Sequence, residues 1–161
     1  MQFFTMAWWR GDSDDDPFPL YDAHLDTIRD QIPSQLLKLD HADPYSLHDA
    51  HLREMHFDAT RVELNLLLDV EDGQLDWRRL RLTYQKVTSF QSHADPNIGL
   101  GGPHGYGHLG YTEIHLAPNG TLEHRLLFST GIELRIRFAD FSFTVGEKIA
   151  TPSPSKQKRI H

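Results

Sequence analysis

The sequence contains no cysteine, which excludes disulfide bonds, thiolate nucleophiles and zinc sites built on cysteine. It also has no apolar run close to the roughly 18–20 residues that a membrane-spanning helix requires. The first ten residues are apolar in part, but they offer neither a basic leader nor a small-residue cleavage site, so no secretory signal is predicted. Together these absences favour a cytoplasmic protein that does not enter a membrane.

Positive charge is scarce as well. The formal net charge is −7, and the end of the chain, 151–161, carries three cations (Lys156, Lys158 and Arg159) and no acid. Without those three charges, residues 1–150 have a net charge of −10. Contact with nucleic acid needs clustered cations, so a nucleic-acid partner is not expected. We interpret 151–161 as a disordered basic tail that aids solubility.

The hydrophobic pattern changes period along the chain. Residues of about 5–40 follow helical spacing, with Thr5 and Asp16 as helix caps, and residues of about 48–145 alternate as strands do. Val62 to Val70 forms one such alternating strand, and the pattern breaks near Gln85 and again at Asp140, where we expect bends or bulges. The sequence therefore predicts one α+β domain over 1–150. In it, two or three N-terminal helices pack on a curved antiparallel β-meander of six or seven strands.

Two three-residue turns, 118–120 and 129–131, have glycine in third place, as a hairpin loop of this length requires. Their length fixes the strand register, so that Glu113 lies opposite Arg125 and His124 lies opposite both Ile114 and Ile136. His124 then falls on an apolar face and needs a hydrogen-bond partner, for which His48 and Asp49 are candidates. We predict that these three are structural polar residues, and that His124→Ala costs roughly 1–3 kcal/mol.

The opposite face of these strands carries charged residues in cross-strand pairs. We predict that this face is exposed, so that Arg125→Ala costs under about 1 kcal/mol. It is also a candidate surface for a partner, together with part of the glycine-rich loop 91–110. The candidate residues are Glu113, Arg125, Glu133, Arg135, Arg137, His104, Tyr106 and His108.

The candidates for catalysis and for metal binding are weak. Eleven histidines are present, but no spacing brings three ligands together, and no serine lies in a nucleophile elbow. The loop residues Gly105, Gly107 and Gly110 match G-x-G-x-x-G, yet a strand follows where the dinucleotide motif requires a helix. No catalytic residue, metal or cofactor is therefore predicted. A histidine-dependent metal-binding protein or hydrolase stays open as the alternative to a binding protein.

Three short motifs carry a resemblance to a family. They are Ser46-Leu47-His48-Asp49-Ala50 at the entry to the strands, Leu109-Gly110-Tyr111-Thr112-Glu113, and Glu123-His124-Arg125-Leu126-Leu127-Phe128. In these the chain resembles small bacterial helix-plus-β-meander proteins that are similar to the immunity proteins of polymorphic toxin systems. The resemblance implies a cytoplasmic protein that neutralises a toxin-like protein partner by binding it, and it supplies no catalytic residues.

Overall fold

The computed structural model describes residues 1–42, 44–74, 76–94 and 105–151, and it confirms the α+β class. The helical elements come first: α1 (Met6–Trp9), α2 (Pro17–Ile28), a 3₁₀ turn (Arg29–Gln31) and α3 (Ser34–Asp40). Eight antiparallel strands follow within these residues: β1 (His51–Asp58), β2 (Glu63–Glu71), β3 (Trp77–Gln85), β4 (Ser89–His93), β5 (Leu109–Leu116), β6 (Leu122–Phe128), β7 (Glu133–Phe138) and β8 (Asp140–Ile149). Apart from Thr151, the predicted tail lies outside the described residues, as do positions 95–104 of the glycine-rich loop.

The predicted helix caps are present. The Thr5 hydroxyl accepts a hydrogen bond from the Trp8 N–H at 3.2 Å, and the Asp16 carboxylate accepts one from the Phe18 N–H at 3.1 Å. Pro17 occupies the first turn of α2, where its missing N–H has no helical partner to lose. The sequence thus fixes where α1 and α2 begin, because short polar side chains satisfy the free N–H groups there.

The strands number eight and form two sheets, which differs from the predicted meander of six or seven. One sheet has the order β1-β2-β3-β8 and the other β4-β7-β6-β5. The hydrophobic alternation is interrupted near Gln85 and at Asp140, and at both points the chain passes from one sheet to the other. Lys86, with a φ of 52°, lies just after β3, and the residue between Phe138 and Asp140 separates β7 from β8. Val62 is also not part of a strand, because its φ of 57° places it in the turn before β2.

Both predicted hairpin registers are confirmed. Glu113 pairs with Arg125, and His124 pairs with Ile114 on one side and Ile136 on the other. Gly120 and Gly131 adopt φ values of 78° and 86°, the left-handed conformation that these turns require. The even-numbered residues of β6 and β7 therefore point into one core, together with those of β2 and β3.

The helices lie against the edges of the two sheets, since α2 contacts β5 and α3 contacts β8. Buried side chains of both helices, such as Leu25 and Leu36, join the same core cluster as the strands. Helix side chains, and no further strand among the described residues, thus cover part of the outer edge of β5. This edge also lines a cleft of about 450 Å³.

Candidate functional site

The charged face of β5, β6 and β7 is mostly buried, which corrects the prediction that it is exposed. Glu113 is 0% exposed and Glu123 is 4% exposed. Arg125 Nε lies 2.6 Å from one oxygen of Glu123, and Arg137 Nε lies 2.6 Å from the other. The estimate of under about 1 kcal/mol for Arg125→Ala therefore does not apply, because the change would leave a buried carboxylate with one partner fewer.

The same network neutralises the arginines that face each other. Arg125 lies opposite Arg135, and Arg135 Nε lies 2.7 Å from Glu133. Three glutamates and three arginines thus pair within this face. The side chains of Arg135 and Arg137 remain 35% and 45% exposed. Of the five charged candidates on these strands, these two arginines are the most accessible, whereas Glu113 is covered.

Glu113 is covered because the N-terminal segment, residues 2–4, lies across it. Its carboxylate accepts hydrogen bonds from the N–H groups of Gln2, Phe3 and Phe4 at 2.7–3.0 Å and contacts His115 Nε2 at 2.7 Å. Burial alone would raise the pKa of Glu113, but the His115 bond and the three N–H bonds outweigh it and lower the pKa to about 2. Glu113 therefore anchors the N-terminal segment, which covers it.

His124 is buried and hydrogen-bonded, as predicted, but its partner is Tyr84 and not His48 or Asp49. The Tyr84 hydroxyl lies 2.8 Å from His124 Nδ1 across the interior between the two sheets. Burial and the neighbouring His115 lower the pKa of His124 to about 3, and burial raises the pKa of Tyr84. Tyr84 therefore donates to a neutral imidazole, and the pair links β3 to β6.

His48, Asp49 and His108 come together at the start of β5. Asp49 Oδ2 lies 3.8 Å from His48 Nε2, and Asp49 Oδ1 lies 3.6 Å from His108 Nε2. Asp49 has a φ of 64°, a conformation that non-glycine residues rarely adopt. All three side chains are about half exposed. Among the described residues, no group of three histidine or acidic side chains could hold a metal ion.

His48 also borders a cleft of about 450 Å³ between α2, the end of α3 and the edge of β5. Its Nδ1–H donates to the Gly110 carbonyl at 2.6 Å, which directs Nε2 away from the strand. The other lining residues are Phe4, Phe18, Tyr21, Asp22, Leu39, Asp40, His41, Ala42, Ser46, Leu47, Gly110, Tyr111 and Thr112. Apolar walls with a few polar groups are typical of ligand-binding clefts.

Four aromatic rings form much of the wall. Phe4 stacks on Tyr111 with ring centroids 5.1 Å apart and meets Tyr21 edge-on at the same distance, while Phe18 lies 5.2 Å from Phe4. Phe4 takes this position because Glu113 holds its backbone N–H. The buried Glu113 therefore helps to fix the ring of Phe4 in the wall of the cleft.

Asp40 supplies the negative group of the cleft. Its Oδ1 accepts a hydrogen bond of 3.0 Å from the Tyr21 hydroxyl, which itself accepts one from the Ile114 N–H at 2.9 Å. Burial raises the pKa of Asp40, and the bond from Tyr21 opposes that rise. Burial and Asp40 also raise the pKa of Tyr21, so its hydroxyl stays protonated and donates. No cation of the described residues forms an ion pair with Asp40.

The surface beside the cleft is acidic. Residues 11–31 contain seven aspartates and one arginine, and all of these side chains are exposed. Most of the chain's net charge of −7 therefore lies along this part of the surface. Two apolar side chains stand among the acids, Phe18 at 49% and Leu20 at 63% exposed.

The sequence-predicted candidates thus fall into separate places. Glu113, Arg125, Glu133, Arg135 and Arg137 form one network, His108 joins His48 and Asp49, and His104 lies outside the described residues. The Tyr106 ring packs against Phe128.

The cleft residues Phe4, Phe18, Tyr21 and Asp40 are not among the site candidates that the sequence predicts. The density of aromatic residues before position 22 was the signal, because a four-residue helix cannot bury so many rings by itself.

Two further findings bear on function. No helix among the described residues is long and apolar enough to cross a membrane. A scan against protein-family models finds none that matches the chain, and a search of curated proteins finds no matching sequence.

Proposed function

We propose that this chain is a non-enzymatic protein-binding module whose partner has a basic surface, and that it acts as a bacterial immunity protein that neutralises a toxin. The observation that carries the proposal is the aromatic cleft bordered by the acidic, exposed side of α2. His48 and Gly110, from two of the short motifs that resemble immunity proteins, line the same cleft.

The chemistry of the cleft suits a protein partner. Exposed aromatic residues provide large contact area and are frequent among the residues that dominate binding energy. Phe18 and Leu20 are the apolar side chains placed to act in this way, since both are exposed on α2. The surrounding aspartates favour a basic partner and repel nucleic acid, because charge complementarity directs encounter and excludes partners of like charge.

The test is co-expression of this protein with the product of the reading frame next to its own gene. We expect that the neighbouring product alone inhibits growth of a bacterial host, that this protein restores growth, and that the two form a complex on size exclusion. Phe18→Ser should weaken the complex at least tenfold, because it removes an exposed ring at the cleft.

Phe57→Ser is the matched control. Phe57 is 51% exposed on β1, so it resembles Phe18 in type and exposure but does not line the cleft. It should leave the complex unchanged. The proposal fails if no neighbouring product binds or inhibits growth, or if both phenylalanine variants weaken the complex equally.

The alternative is a histidine-dependent metal-binding protein or hydrolase, and the contacts of Asp49 with His48 and His108 favour it. A catalytic zinc site needs three protein ligands that converge, and these three side chains do not form such a group. Elemental analysis of purified protein should therefore find less than about one zinc per several chains. Stoichiometric zinc that only a chelator removes would make the alternative the better proposal.

A further inference from the structure

We infer that the cleft binds an extended basic segment of the partner, with the segment's backbone pairing with the edge of β5 at Thr112 and one arginine or lysine side chain next to Asp40. This inference rests on the proposed function and names the part of the partner that the cleft takes. Three features of the cleft carry it: an open strand edge, a carboxylate without a cation, and aromatic walls.

The open edge lies at Thr112. Neighbouring residues of an antiparallel strand direct their N–H and C=O groups to alternate sides. The backbone groups of Ile114 point away from β6 and towards α2. Its N–H donates to the Tyr21 hydroxyl at 2.9 Å, and its C=O accepts from His24 Nε2 at 2.9 Å. Since the register is regular from Thr112 to Ile114, the backbone groups of Thr112 point to the same side.

The edge is closed on both sides of Thr112. His48 donates to the Gly110 carbonyl, and side chains of α2 bond both polar groups of Ile114. Thr112 itself lines the cleft. Among the described residues, no hydrogen bond reaches the outward backbone groups of Thr112. One residue of strand edge is therefore left open within the cleft, enough to exchange two hydrogen bonds with one residue of an extended peptide.

The side-chain site is suited to a cation. Asp40 is partly buried and forms no ion pair with a described cation, and Asp22 lies exposed at the same cleft. No lysine or arginine is among the described residues that line it. The partly exposed ring of Tyr111 also lines the cleft, and aromatic faces attract cations, most often guanidinium groups. An anionic ligand would meet two carboxylates here.

The test uses two blocked synthetic peptides, acetyl-Gly-Val-Arg-Val-Gly-amide and the same peptide with glutamine in place of arginine, titrated into the full chain by calorimetry. We expect saturable binding of the arginine peptide and at least tenfold weaker binding of the glutamine peptide. Asp40→Asn, which keeps an acceptor for Tyr21, should weaken the arginine peptide about tenfold. Asp30→Asn, at an exposed aspartate that does not line the cleft, should change its affinity less than twofold.

Backbone pairing is tested on the peptide, so that folding of the protein is not at risk. One version carries an N-methyl group on the arginine and another on the valine after it. Because adjacent residues point to opposite sides, only one of the two faces Thr112. We expect one methylated peptide to bind several-fold more weakly than the other.

Several results would overturn the inference: no saturable binding up to millimolar peptide, equal binding of the arginine and glutamine peptides, equal effects of Asp40→Asn and Asp30→Asn, or equal binding of the two methylated peptides. The proposed function is tested separately, by complex formation with the neighbouring gene product. A complex that forms while the peptides fail removes only this inference. Peptides that bind while no partner protein does remove only the immunity function.

Discussion

Glu113→Gln tests whether a buried carboxylate holds the N-terminal segment on the sheet. The carboxylate accepts from three consecutive N–H groups, those of Gln2, Phe3 and Phe4, and contacts His115. Glutamine has nearly the same size but no charge, and its amide nitrogen would face donors. The substitution therefore removes the electrostatic interaction and leaves the packing volume almost unchanged.

The magnitude follows from the pKa of Glu113. Its reduction from the usual 4.5 to about 2 corresponds to about 3 kcal/mol in favour of the folded, ionised state, at about 1.4 kcal/mol per pKa unit. Because the pKa is lower in the folded state, this stabilisation is complete above about pH 4.5 and is lost as the pH falls through about 2. Glu113→Gln should thus lower the free energy of unfolding by about 3 kcal/mol at pH 7.

The assay is urea unfolding followed by tryptophan fluorescence, since Trp8 and Trp9 come shortly after the anchored segment. Glu147→Gln is the matched control, because Glu147 is exposed on β8 and its loss should change stability by less than about 0.5 kcal/mol. The difference between wild type and Glu113→Gln should also shrink as the pH approaches 2. If Glu113→Gln lowers the free energy of unfolding by less than about 1 kcal/mol at pH 7, the anchoring role is refuted, because the loss of one neutral hydrogen bond would explain so small an effect.

Two further predictions concern the core and the cleft. His124→Ala should cost about 1–3 kcal/mol near pH 7, because it leaves a cavity and removes the partner of Tyr84. The stability difference between wild type and His124→Ala should decrease as the pH falls from 6.5 to 3. The pKa of His124 is lowered to about 3 in the folded protein, so in this range the unfolded wild-type chain takes up a proton that the folded chain does not. A stability difference that stays constant with pH in urea unfolding would contradict this prediction. Gly110→Ala should lower the melting temperature and shift the tryptophan emission to the red, because a Cβ there would stand 2.1 Å from the Trp9 ring. Gly73→Ala, with no atom within 4 Å of such a Cβ, should change neither, and equal melting temperatures for the two variants would show that the Trp9 contact is unimportant.

Local signals in the sequence were enough to predict the hairpins and the helix starts. A three-residue turn with glycine third allows only one register over the few residues on either side, so the pairing of Glu113 with Arg125 could be derived without a structure. Thr5 and Asp16 mark their helices in the same local way. The burial of His124 followed from that register.

The sequence does not show which segment of the chain covers each face of the strands β5, β6 and β7. Alternation separates the charged face from the apolar one, but it does not show that residues 2–4 return to lie on Glu113, a contact between positions far apart in the chain. The number of sheets was missed for a similar reason. β4 has five residues, and its pattern does not show that Phe90 pairs with Ile136 instead of continuing β3. Non-local pairing of this kind is determined by the whole core.

The two bends at which the chain changes sheet lie at one corner of the fold. There the Thr88 N–H donates to the Arg137 carbonyl at 2.9 Å, and the Ala139 N–H donates to the Gln85 carbonyl at 3.0 Å. The first bond extends the pairing of β4 with β7, and the second extends the pairing of β3 with β8. The two connecting segments therefore pass side by side from one sheet to the other, and each is held by a hydrogen bond at the sheet that it joins. Each bond joins residues about 50 positions apart in the chain, and contacts of such long range cost loop-closure entropy, which slows folding. The amides of Thr88 and Ala139 should then exchange with solvent only when the whole domain unfolds.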